Sequence, residues 1–376
     1  MFHRPKFLSM LPRIVPRIVP RVVRCTTAKH CFVLIIVQFL AACEGTPQAR
    51  PPLLDSRLAI VVPARQLTPP LASTLEFELL SSPNDIQTRV DLIWYYRGQF
   101  TDAGAEREAN EHVLWLIEHQ PRSAVLAAPV AEIASLPDRT AHRAAAVLWE
   151  KLIGERDNAK DAKVLGHAGI FFVSSNPAKA AALLEKAVAL DEHSLTWIRH
   201  LARAYHALVN TTPLDPEHRY ARSAVKAYEQ ALAQASSNRD KADLLIHLSV
   251  VAIEAVDLPK AQRAANDLVN IASQLTEESD RAVALHAAHV ALGRVELMNG
   301  QDDAAIAKLR EAAEAIKDRN VFFSQLDLTL ARALLKKGHK LPVLEYLDVV
   351  HRITRASEVS DMISEIKASM LPAGQS

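Results

Sequence analysis

The sequence predicts an all-α protein built as a stack of antiparallel helix pairs, and three observations carry that prediction. The stretch from His286 to Arg319 reads as two short amphipathic helices folded back on each other. Its apolar residues recur at helical spacing through Val290, Leu297, Ile306 and Leu309. Between them Asn299-Gly300 supplies a turn where positive φ is cheap. Small residues then recur along the chain, one followed by a second small or modest residue twelve on and a third seven beyond that. The sets are Ala168, Ala180, Ala187; Ser249, Ala261, Leu268; Gly293, Ala305, Ala312; and Ala331, Val343, Val350. A fifth set, Ala202, Ala224, Ala231, keeps the last interval and adds ten residues to the middle turn. Finally, no alternating strand pattern competes, and only ten glycines serve 376 residues.

In chain order, residues 1–43 come first, with seven Lys or Arg and no Asp or Glu. Without them the rest carries 37 basic against 43 acidic residues, a net charge of −6. Nucleic-acid binders usually present a basic face, so an acidic body argues for no nucleic acid as partner. The basic leader runs into the apolar stretch Cys31–Cys43, shorter than the roughly 20 residues a spanning helix needs and suited to the hydrophobic region of a secretory signal. The three cysteines, Cys25, Cys31 and Cys43, all fall within residues 1–43. A processed chain therefore has no disulfide or free thiol to offer, and thiol catalysis, Cys-ligated zinc and iron–sulfur clusters are excluded.

The end of the run, Leu40-Ala41-Ala42-Cys43, resembles the bacterial lipobox. That resemblance implies a signal peptide over residues 1–43, acylation of Cys43, anchoring to a lipid bilayer and a place in the bacterial cell envelope, the outer membrane before the inner, with the folded domain in the periplasm. Two acyl chains already suffice for stable anchoring. The competing reading is a misassigned start on a cytoplasmic repeat protein. Residues 44–70 hold Pro47, Pro51, Pro52, Pro63, Pro69 and Pro70 and read as a tether, which spans about 28 Å if flexible. Within it, residues 58–62 are apolar and leave open a short strand or a docking patch.

From Leu71 the periodicity is helical. Residues 71–160 read as degenerate helix pairs, one running Ile86–Tyr96 and Glu106–His119 and ending at Pro121, followed by a helix over Thr140–Ile153 with Ala145, Trp149 and Leu152 on one face. Residues 161–357 hold the five regular units. Asn176-Pro177 and Asp257-Leu258-Pro259 each start a helix, proline being tolerated in the first turn. A last helix, Ser357–Met370, caps the open end, so that residues 358–376 form the capping helix and tail.

The recurring spacing resembles the tetratricopeptide repeat, a helix-turn-helix unit of about 34 residues. A large residue precedes each small slot (Leu201, Leu248, Leu292, Leu330, with His167 departing), and three after the slot stands Phe171, Tyr205 or Leu334, with Ala252 and Glu296 departing. The Trp that family often places early in the first helix is absent, so the units are degenerate. The resemblance implies a superhelical solenoid of about seven pairs, each burying its apolar face against its neighbours. It implies a scaffold for protein or peptide partners, the roles of such lipoproteins including envelope, pilus and secretion assembly.

The search for chemistry predicts a protein that is not an enzyme and takes no cofactor. There is no phosphate loop, GxSxG, HExxH or dinucleotide turn. An enzyme assembled from scattered residues on the concave face is the other reading. Among 15 histidines, the pairs His286/His289 and Glu108/His112 have spacings that set two ligands on one helix face. Each lacks a third ligand in sequence, and packing or surface roles are preferred. Glu311, Glu314 and Asp318 read as a solvated face, and Trp94, Tyr95, Tyr96, Trp115, Trp149 and Trp197 as core.

In the resembled family the first helix of each unit lines the concave surface, and the residue after the small slot points into it. Those residues are Gly169, Arg203, Val250, Arg294 and Arg332, with Arg199 one turn before Arg203. Arg199, Arg203, Arg294 and Arg332 are therefore the candidate groove, suited to an acidic segment that guanidinium groups can grip in pairs. The alternative is that these arginines pair with acids on adjacent helices or are merely solvated. The family's Lys and Asn clamp for a terminal carboxylate is not matched.

Overall fold

The computed structural model describes residues 67–99, 102–134, 139–212, 215, 217–322, 324 and 326–370. Cys43, the lipobox, residues 44–66 and the apolar stretch 58–62 lie outside them. The described residues are all-α, with no strand among them and no helix long and apolar enough to cross a membrane. They form a tetratricopeptide-like series of antiparallel helix pairs.

The regular part begins at α5 (Ala162–Phe172) and α6 (Pro177–Leu190) and continues with α7 (Leu195–Thr211) and α8 (Arg219–Gln234), then α9 (Asn238–Glu254) and α10 (Leu258–Ala272). It ends with α11 (Glu278–Met298) and α12 (Asp302–Ile316), α13 (Thr329–Lys336) and α14 (Lys340–Thr354), and the closing helix α15 (Ser357–Ala368). Local chemistry sets the starts. Asp161, Asn176, Ser237 and Asp257 each accept a hydrogen bond from a backbone N–H in the first turn of the following helix. Pro177 and Pro259 sit in those first turns, where the missing N–H costs nothing.

The small slots are where the pairs close. Ala168, Ala180, Ala187, Ala202, Ala224, Ala231, Ser249, Ala261, Leu268, Ala305, Ala312, Ala331, Val343 and Val350 are all buried. A methyl group on Gly293 would collide with Leu330 of α13 and press on Lys308 of α12, so three helices meet over one hydrogen atom. First helices also touch along the row, α5 with α7, α7 with α9, α9 with α11 and α11 with α13. Each unit thus buries its apolar face against its partner helix and its neighbours.

Before α5 lie α1 (Pro69–Ser81), α2 (Ile86–Arg97), α3 (Ala103–His119) and α4 (Arg139–Gly154). Pro69 and Pro70, read in sequence as the end of the tether, form the first turn of α1, the one place in a helix that tolerates them. Helices α2 and α3 pair, but α4 has no first helix beside it. Its place is taken by two short 3-10 turns, Ala124–Ala127 and Pro129–Ala131. They pack on α2, α3 and α5, where a first helix would stand. Pro129 bars a continuous helix there, and the segment compensates with bulk: Val125, Leu126, Val130 and Ile133 are buried. The Arg97 guanidinium at the end of α2 donates to the carbonyls of Val130 (3.2 Å) and Glu132 (2.7 Å), tying the segment to the helix before it.

Candidate functional site

The four arginines lie on first helices, and each meets an acid from another helix. Arg199 of α7 donates to Asp240 of α9 at 2.8 Å, and one turn later Arg203 stands 3.9 Å from Asp243 of α9. Arg294 of α11 donates to Glu254 of α9 at 2.7 Å, and Arg332 of α13 pairs with Glu358 of α15. Arg239 of α9 continues the pattern 3.2 Å from Asp280 of α11. The row of first helices is thus cross-linked by ion pairs, which sequence spacing could not show because partners lie about a repeat apart.

Exposure separates the four. The side chains of Arg199, Arg203 and Arg294 are 8%, 15% and 16% accessible, against 55% for Arg332. Burial alone would raise the Asp240 carboxyl, but hydrogen bonds from Ser237 and Arg199 hold it below its ordinary value. That makes Arg199–Asp240 part of the packing between α7 and α9. Arg203 is held less closely, since 3.9 Å exceeds hydrogen-bond range. Arg332–Glu358 is a surface pair, worth at most about 1 kcal/mol, and can exchange partners.

Between these groups stands His206 of α7. Burial pushes its imidazole below the ordinary value, with Glu254 and Asp327 opposing that shift and Arg203 and Arg294 adding to it. The structure thus brings Arg203 and Arg294 to one neighbourhood, together with Glu254 and Asp327. Arg332 pairs with Glu358 of α15 and is not among the charges that shift His206. Gly169 corrects the sequence reading. It is buried, and a methyl group there would stand 2.6 Å from Leu184, so this position packs α5 on α6 and does not line a groove.

The histidine pairs do not converge on a shared ion. His286 is fully buried and shares a 2.8 Å hydrogen bond with the Tyr346 hydroxyl, while His289 faces Glu311 at 2.9 Å. Burial lowers His286 to about 4 and so keeps it neutral. Glu108 and His112 also part company. His112 sits between Arg89 (3.2 Å) and Glu76 (2.9 Å), in a network that Tyr96 joins through a 2.8 Å bond to Glu76. Among the described residues no group of three or more His, Cys, Asp or Glu could hold a metal ion.

Trp149 and Trp197 are buried as core residues. Trp115 is half-buried between the Arg89 guanidinium, 3.7 Å above its ring, and the His119 ring stacked at 4.5 Å. This network between α1, α2 and α3 went unseen in the sequence, because Glu76 and His112 are 36 residues apart with no motif joining them.

No family model matches the chain, and no curated protein matches it. Among solved structures, the chain is similar to that of MamA, at 19% identity over 47% of this chain and 90% of that one, with a TM-score of 0.36. It is also similar to the human IFIT1 dimer with m7Gppp-AAAA, at 16% identity over 82% of this chain and 68% of that one, with a TM-score of 0.46. A third similarity is to the APC/C hetero-tetramer Cut9-Hcn1, at 13% identity over 79% of this chain and 52% of that one, with a TM-score of 0.26.

Proposed function

We propose that the protein is an interaction scaffold, held on a bacterial envelope membrane through acylated Cys43, whose row of first helices receives an acidic segment of a protein partner. The observation that carries the scaffold part is the arginine-bearing face of α7, α11 and α13, where Arg203 is loosely paired, Arg294 stands beside it around His206, and Arg332 is exposed. An incoming carboxylate would bind Arg203, which no hydrogen bond to Asp243 holds, the exposed Arg332, and the Nη1 of Arg294 that its 2.7 Å bond to Glu254 leaves without a partner, gaining charge-assisted bonds. Arg199 stays with Asp240 and shapes the face. The anchor rests on Leu40–Cys43 following an apolar run of signal length. A partner in envelope, pilus or secretion assembly fits that placement, as does the absence of a basic body that nucleic acid would need.

Two experiments separate the parts of this reading. Cys43→Ala abolishes incorporation of a radioactive fatty acid if Cys43 is the acylated residue, and label retained by the variant ends the anchor reading. The triple variant Arg203→Gln, Arg294→Gln, Arg332→Gln loses partner capture from cross-linked cells while still melting cooperatively, at a lower temperature because Asp243 and Glu254 lose their partners, and wild-type capture weakens as salt rises. Retained capture by the triple variant ends the groove reading and leaves the anchor untouched.

A further inference from the structure

The 3-10 segment is thinner than the helix it replaces, and beside it lies a partly open cavity of about 170 Å³. A cavity of that size has room for a benzene ring. Leu126 and Ile133 of the segment, Trp149 of α4 and Ile170 and Phe171 of α5 supply apolar wall, while α7 adds His200 and Arg203. Polar groups share the lining: Glu132, His167, Ser174, His200 and Arg203 all border it. Arg203 is the cation, and its one ion pair among the described residues is the 3.9 Å approach to Asp243. Glu132, exposed, also borders the cavity, and its carbonyl is already taken by Arg97.

We propose that this cavity is a binding site for a small apolar carboxylate, an aryl or branched-alkyl group seated between Leu126, Trp149 and Phe171 with its carboxylate on the Arg203 guanidinium. The chemistry fits on both sides. A ring displaces water that the apolar walls cannot bind well, and a planar carboxylate matches the guanidinium fork. A free aryl acid and the C-terminal aromatic residue of a peptide present the same groups. The site stands apart from the scaffold reading, with which it shares only Arg203.

Calorimetric titration of the full chain with 3-phenylpropanoate and with its amide tests the site. The acid binds about tenfold more tightly than the amide, the increment of one charge-assisted contact. Ala131→Leu fills the cavity and removes binding of both, and a melting temperature no lower than wild type shows that the fold is intact. Arg203→Gln leaves a weak site that no longer distinguishes acid from amide, which keeps the test decisive should Ala131→Leu fail to fold. A peptide ending in Phe, compared with its C-terminal amide, identifies the source. Tighter binding than 3-phenylpropanoate points to a chain end, weaker binding to a free acid. No binding at millimolar concentration, or equal affinity of acid and amide for the wild type, overturns the proposal.

Discussion

The two parts of the described chain solve the same packing problem in opposite ways. From α5 to α14 the helices are close because the contact positions are small: Ala187 and Ala312 are fully buried, and Gly293 gives three helices a common meeting point. From α2 to α4 a first helix is missing, and bulk does the work, with Trp149 buried beneath a 3-10 segment studded with Val125, Leu126, Val130 and Ile133. A repeat array can thus lose a helix without losing its continuity, provided that side chains fill most of the gap and a residue such as Arg97 satisfies the carbonyls that a helix would have satisfied internally. The cavity lies beside that segment.

The contrast predicts that opposite volume changes are harmful in the two regions. Trp149→Ala removes the bulk beneath the segment and lowers stability by about 3–5 kcal/mol, the largest effect expected, read by denaturant unfolding. In the regular part the harmful change is enlargement. Ala187→Leu or Ala312→Leu overpacks a helix contact at a cost of about 1–3 kcal/mol, seen as a lower melting temperature. Lys186→Ala, on an exposed position of α6, is the control and leaves the melt unchanged. Lys308 would be a poor control, because it touches the site of Gly293 and bonds Glu311 at 2.7 Å. Equal melting temperatures for the enlarged and control variants would break the comparison.

Acid sharpens it. His167, in the cavity wall, and His286, in the regular part, are both pushed by burial from the ordinary 6.5 to about 4. His167 donates from Nδ1 to the Pro121 carbonyl at 2.8 Å, as a neutral imidazole can. With the folded value below the unfolded one, the unfolded chain binds more protons between those limits, so stability rises with pH across the window and falls on acidification. The melting temperature therefore drops as pH is lowered from 6.5 towards 4. His286→Phe gives a shallower slope, and an unaltered slope would place the proton uptake elsewhere.

The smallest effect concerns the turns. Three units close identically, each with a left-handed residue seven beyond the small slot: Val256 (φ 58°), Gly300 (φ 79°) and Gly338 (φ 96°). The amides that follow, of Asp257, Gln301 and His339, reach back to the carbonyls of Ala252, Glu296 and Leu334. Two units use glycine for this conformation, whereas α9 forces a β-branched valine into it, which is strained. Val256 is half exposed, so nothing is lost by removing it. Val256→Gly should raise stability by about 1 kcal/mol and Gly300→Val lower it by a similar amount. Opposite shifts in melting temperature confirm the shared register.

The regular units were legible because their determinants are local and repeated: the slots, Asn299-Gly300 and the Asn176 and Asp257 caps can be read without knowing any distant contact. Helices α2, α3 and α4 were readable for the same reason, to within a few residues. The empty first-helix place before α4 was not, since the stretch from Ala124 to Ile133 is apolar and Ala-rich and only its neighbours show what it replaces. For the arginines, spacing located Arg203, Arg294 and Arg332 on first helices but could not reveal their acids. Asp243 and Glu254 lie 40 residues from Arg203 and Arg294, and only the stacking brings them together. Gly169 was misplaced because smallness serves both a groove and a close contact.

Peptide-resolved native-state hydrogen exchange on the full chain tests the unequal halves most directly. Helices α7 to α12 have continuous backbone bonding and should be protected together, as one cooperative block. Residues 124–133, held by short-range amide bonds and the Arg97 contacts, should exchange well before that block and before α3 and α4 on either side. Protection of this segment equal to that of α9 would contradict the account, for it would mean that the place before α4 holds a helix-like unit after all.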